Sequence, residues 1–119
     1  MTLLTREQIL AVSDIVSERI EVSEWGGEVI VKSLTGTERD QFESKILELK
    51  DKGYKVNLAN ARANLVALSL VDENGLPLFT LKDVELLGKK SAAALDRVYS
   101  VAARLSGLTE ADVEDLTKN

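Results

Sequence analysis

Any chemistry in this chain would have to come from carboxylates, lysines and hydroxyls, because it contains no histidine and no cysteine. That removes thiol nucleophiles, disulfides, imidazole bases and the commonest ligands of zinc, copper and iron. Glu110 with Asp112, and Glu114 with Asp115, are spaced as acid–base pairs, yet no apolar sequence surrounds them to raise a pKa. A solvated helix face accounts for them better. Asp72-Glu73-Asn74 opens like a calcium loop, but Pro77-Leu78-Phe79 falls where further ligands should lie, so a plain turn is the favoured reading. Gly26-Gly27 lacks the other glycines and the Gly-Lys-Ser/Thr ending of a phosphate loop. An enzyme could still work with carboxylates, lysine or serine, but no residue pattern here singles out a catalytic, cofactor-binding or metal-binding site.

Composition narrows the partners. With 119 residues, 13.0 kDa and 45% hydrophobic residues, one compact domain can bury a real core. Aromatics are 4% and the net charge is −5, so there is little to stack on bases and no Lys/Arg cluster to meet phosphates. Lys89-Lys90 is the densest basic spot and reads as a solvated helix start. The N-terminal residues lack a basic region followed by an apolar run, and no apolar stretch is long enough to cross a bilayer. A soluble, cytoplasmic protein that binds neither nucleic acid nor membrane is expected.

The elements that position these residues follow from local patterns. Thr5-Arg6-Glu7-Gln8 has capping-box spacing and opens a short helix with Ile9, Leu10 and Val12, Ile15 and Val16 being candidate extensions. From Ser17 to Ser23 the chain alternates, with Ile20 and Val22 on one face. After Trp25-Gly26-Gly27, Val29 and Val31 alternate with Glu28, Ile30 and Lys32. The pattern predicts an antiparallel hairpin over about Arg19 to Ser33, with both glycines supplying positive φ. Thr35 with Glu38 is a second capping box, opening a helix to about Asp51 that Gly53 stops. Asn57 is placed to cap a helix from Leu58 to about Val71, apolar around most of its circumference and so central to the bundle. Asp72-Glu73-Asn74-Gly75 is a turn, and Leu76 to Phe79 is extended. Thr80 with Asp83 caps a short helix through Leu87, which Gly88 ends. Ser91 to Ser106 is the long late helix, terminated by Gly107, and Thr109 with Asp112 caps a last turn before a frayed tail. The fold class is α+β, a mostly helical bundle with one antiparallel β-hairpin. Phe42, Ile46, Leu65, Leu68, Leu95, Val98 and Leu105 are the expected core.

An isolated hairpin is marginal in water, so it must pack on helices or pair with another chain. Tryptophan is enriched at interface hot spots, which makes Trp25 a candidate anchor, although covering the end of the core explains it equally well. The free hairpin edges can accept a strand. Trp25, Val29, Val31 and Phe79 are the candidate partner-binding residues.

Two segments carry a resemblance. One is Trp-Gly-Gly-x-Val-x-Val-Lys-Ser-Leu-Thr-Gly-x-Glu-Arg leading into a helix. The other is Leu-Val-Asp-Glu-Asn-Gly-Leu-Pro-Leu-Phe, followed by Val84-Glu85-Leu86-Leu87-Gly88 and a helix closing in Leu105-Ser106-Gly107-Leu108-Thr109. In this order they resemble the tail assembly chaperones of siphophages and prophages, over roughly Val22 to Asn119. The resemblance implies a single chaperone-like domain over 1–119, not an enzyme and without catalytic residue, cofactor or metal, that coats the tape-measure protein until tail-tube subunits assemble around it. It also implies a longer frameshifted form that recruits the tail-tube protein, and it leaves a homo-oligomer possible. The rival readings are a generic helical adaptor or regulatory module of a mobile element, and an enzyme built on carboxylates and lysines alone.

Lys118-Asn119 can be encoded AAA AAC, and after a Thr117 codon ACA the message would read A-AAA-AAC, a heptamer on which two tRNAs can slip. Ordinary codons in a polar tail are the alternative. Sequencing the gene tests this, the expected finding being a slippery heptamer overlapped by a downstream frame.

Overall fold

The computed structural model describes residues 2–56 and 58–117, with the backbone alone at Glu110. The cap expected at Asn57 and the codon-slip residues Lys118 and Asn119 lie outside the described residues. In chain order the elements are α1 (Arg6–Ala11), β1 (Ser17–Val22), β2 (Gly27–Lys32), α2 (Gly36–Asp51), α3 (Leu58–Ser69), β3 (Leu70–Val71), α4 (Val84–Leu87), α5 (Ala92–Leu105) and α6 (Glu110–Thr117). The expected α+β, mostly helical architecture is the one found, with the hairpin extended by a third strand.

Threonine starts four of the helical segments, because its hydroxyl accepts a bond from a free backbone N–H while the acidic or amide residue three positions on accepts from the cap's own N–H. Thr5 pairs in this way with Gln8 before α1, and Thr35 with Glu38 before α2. Thr80 pairs likewise with Asp83 before the 3₁₀ turn leading into α4, and Thr109 with Asp112 before α6. At the other end of α2, Gly53 at φ +81° lets its N–H reach the Lys50 carbonyl and the Tyr54 N–H reach that of Leu49. Gly107 repeats the arrangement after α5, where the Leu108 N–H bonds the Ala103 carbonyl at 2.9 Å.

β1 and β2 pair antiparallel, with Ile20 opposite Val29 and Val22 opposite Gly27. The loop between them is Ser23 to Gly26, a 3₁₀ turn closed by Gly26 at φ +76°. Gly27 is therefore the first residue of β2 and does not take the positive φ expected of both glycines. A 3₁₀ turn needs only its last residue to turn left-handed, which one glycine supplies.

The helix expected to reach Val71 ends at Ser69, and Leu70 and Val71 become β3, paired with Val31 and Ile30 respectively. The cause lies just beyond. The Asp72 carboxylate accepts the N–H groups of Asn74 and Leu76 at 2.8 and 3.0 Å, and the Leu78 N–H returns to the Leu70 carbonyl. This Asx turn folds Leu76 to Leu78 back along β3 and holds it extended.

α3 lies at the centre, packed against α2, α4, α5 and α6. Its Ala61, Ala63, Leu65, Val66 and Ala67 join Phe42 and Ile46 of α2, Leu95, Val98 and Ala102 of α5, Val113 of α6, and Val22, Val31 and Leu70 of the sheet. Of the expected core, Leu68 and Leu105 are only half-buried. Leu105 is the last residue of α5, and the reversal at Gly107 gives the core Leu108 instead.

Phe42→Ala and Ile46→Ala each remove a fully buried side chain and should cost roughly 2–5 kcal/mol in denaturant unfolding. Leu105→Ala should cost clearly less than either.

Candidate partner-binding surface

The hairpin is fastened to α5 at two points. Arg97 donates to both carboxylate oxygens of Glu24 at 2.6 and 3.0 Å, and Arg104 donates to Glu18 at 2.8 Å. Arg97 and Arg104 lie two helical turns apart on one face of α5, while Glu18 stands near the start of β1 and Glu24 in the turn just past its end. The strand ends are tied as well. The Leu34 N–H reaches Ser106 Oγ at 2.9 Å, and the Val16 N–H reaches Ser33 Oγ at 3.1 Å. Bidentate pairing holds the Glu24 carboxyl down at about 2, first through the Arg97 hydrogen bonds and then through a backbone bond.

This anchorage sets Trp25 at the mouth of an open cleft of about 380 Å³ lined by Glu24, Trp25, Phe79, Leu87 and Lys90. Phe79 is held there from the following residue, because the Thr80 N–H bonds Asp83 at 2.9 Å and fixes the chain's entry into the next turn. Trp25 and Phe79 are both half-buried, with one side packed on the core. The Trp25 indole Nε1 is buried and meets no acceptor among the described residues. The cleft thus combines the apolar Trp25, Phe79 and Leu87 with Lys90 and the Arg97-bonded Glu24.

The second concavity is a groove of about 440 Å³ on the face of the sheet turned away from the core. Arg19, Ile30 and Val71 stand in register across the three strands, and Leu78 continues the floor. Glu28, Asp72 and Glu73 line its rim. α1 buries no residue, and Leu3 and Leu10 are 94% and 68% exposed.

Of the four sequence candidates, Trp25 and Phe79 come together in the cleft. Val29 lies apart from them, packed on the core and bordering the sheet groove. Val31 is 0% exposed, so it has no surface to give a partner, since the alternation of β2 points it into the core on the side where α5 packs. Ile30, Val71, Leu78 and the apolar side chains of the N-terminal arm were not among the candidates. The signal for Ile30 was visible, an isoleucine on the otherwise polar face of Glu28 and Lys32. The acidic residues near the C-terminus do other work: Asp112 accepts the Thr109 N–H, which lowers its pKa rather than raising it as a general acid requires. Among the described residues no cluster of acidic side chains could hold a metal ion, and no helix is long and apolar enough to cross a membrane.

With this geometry in place, the comparisons with known proteins are specific. The sequence profile of a family described as phage tail assembly chaperone matches residues 5–119. The solved structure of the bacteriophage HK97 tail assembly chaperone superposes with a TM-score of 0.59 at 16% identity, covering 87% of this chain and 95% of that one. At that identity the likeness is one of fold. No curated protein matches the chain.

Because the Glu24 pKa is depressed from 4.5 to about 2 in the fold, its contribution is present above pH 4.5 and lost as pH falls toward 2. Glu24→Gln should therefore lower the melting temperature at pH 7, and the two melting curves should converge between pH 4.5 and 2. A difference that persists unchanged at the acid end would show that the carboxylate charge is not what fastens the hairpin.

Proposed function

We propose, from the premise that the chain belongs to the phage tail assembly chaperone family, that it binds the tape-measure protein and keeps that protein's apolar helical surfaces soluble until tail-tube subunits assemble around it. The observation that carries this reading is the family match over residues 5–119. The surface chemistry supports it. A net charge of −5 keeps the complex in solution, while the Trp25–Phe79 cleft offers apolar wall to one side of an amphipathic helix. Aromatic anchors set at the mouth of a cleft and backed by a packed core lose little conformational freedom when a partner arrives. The chain acts by binding alone, in the cytoplasm of the infected cell, and a longer frameshifted form carries the contact to the tail-tube protein.

Co-expression with a cognate tape-measure fragment should raise that fragment's soluble fraction and yield a complex on gel filtration. Phe79→Ala, which removes a half-buried ring beside the cleft, should lower recovery of the complex several-fold, and Lys90→Glu should do so less. No gain in solubility and no complex with the native chain would reject tape-measure binding. An undiminished complex with Phe79→Ala would move the contact away from this cleft.

A further inference from the structure

Two hollows of the surface meet at one lysine. Besides the cleft beside Trp25 and Phe79, a smaller hollow of about 90 Å³ lies between α3 and α5, with Ala59, Ala92 and Leu95 as its apolar lining. Lys90 lines both, so the two adjoin at that side chain.

Each hollow also holds one carboxylate, and each carboxylate is already matched. Glu24 in the cleft accepts from both terminal nitrogens of Arg97, at 2.6 and 3.0 Å. Asp96 in the smaller hollow pairs with Arg62 at 3.0 Å, and the Arg62 guanidinium lies over the Tyr99 ring, 5.3 Å from its centre. Lys90 is different. Its backbone N–H bonds the Leu87 carbonyl at 3.0 Å, which fixes where the side chain starts, but its ammonium meets no acceptor and no acid among the described residues. A lone exposed lysine is ordinary. This one stands between two apolar hollows whose own acids are both committed to arginines, so a carboxylate to match it must come from outside.

We infer that the helical segment of the tape-measure protein bound here carries a carboxylate between two apolar side chains on one face, the apolar pair entering the two hollows and the carboxylate meeting Lys90. The inference rests on the tape-measure reading above and adds the pattern by which the segment is chosen. A helix lines up residues three or four apart along one face, which delivers one side chain to each hollow and one to the lysine where they meet. With both hollows covered, the charge pair is drawn partly out of water, and its attraction is screened less than on open surface. A segment with lysine or arginine at the middle position meets like charge, so Lys90 rejects as well as attracts.

The test is calorimetric titration of the full chain with the cognate tape-measure fragment, at about 0.05 and about 0.5 M salt. Affinity for the native chain should fall as salt rises. Lys90→Gln should weaken binding about twofold at the lower salt and flatten that dependence. Lys89→Gln removes the same charge from a lysine that lines neither hollow, and should do neither. Neutralising the fragment's carboxylates one at a time, Asp to Asn or Glu to Gln, should find one whose loss has no further effect in the Lys90→Gln background. Replacing that carboxylate by lysine should restore binding to Lys90→Glu. A complex whose affinity and salt dependence are unchanged by Lys90→Gln overturns this inference and leaves tape-measure binding standing. So does a fragment in which every neutralisation adds independently to Lys90→Gln. A native chain that binds no fragment at either salt overturns both readings.

Discussion

Everything in this fold is arranged around a helix that must be covered on nearly every side. α3 buries Ala61, Ala63, Asn64, Leu65, Val66, Ala67 and Ser69, leaving it no broad polar face to turn to water. Alanines let neighbouring backbones come close, and four other helices take up positions around it. The sheet packs beside α5 and joins the same core through Val22, Val31 and Leu70. Asn64 meets this environment by donating its Nδ2 to the Asn60 carbonyl one turn back. Outer elements can vary in polarity only because the centre tolerates so little.

The sheet spends one of its faces on that centre, and the other is left to solvent. Its polar attachment to the helices is therefore made at the margins, by Glu18 and Glu24 on α5 and by the Leu34 N–H on Ser106 at the end of that helix. Charge pairs exposed in this way contribute modestly to stability. Their stronger effect is geometric, since two arginines on one helix face hold the strand between them in a single orientation. The cleft beside Trp25 inherits its shape from that constraint.

How much of this was legible in the sequence depended on distance along the chain. Each capping box joins residues three apart, so Thr5, Thr35, Thr80 and Thr109 announced their helices correctly. The hairpin was visible because alternation is local. β3 was not, because two residues carry no period and their extended form is imposed by Val31, Ile30 and the turn at Asp72. The surface was harder still. Phe79 lies far from Trp25 in sequence, and only the packing of α4 and the hairpin brings the two together. Val31 was misjudged for the same reason, since alternation tells which side a residue faces but not which side the helices will occupy. For the arm, the sequence displayed the helix and its apolar residues, but not that its own chain would leave them uncovered.

The solitary tryptophan gives the molecule an optical property of its own. Trp25 sits half-buried at the cleft, with its indole nitrogen shielded from water and without an acceptor among the described residues. Its emission is set by that local polarity, and with no second indole in the chain the signal is not averaged over other environments. Whatever enters or leaves the cleft registers directly as a change in colour and quantum yield, with no label attached.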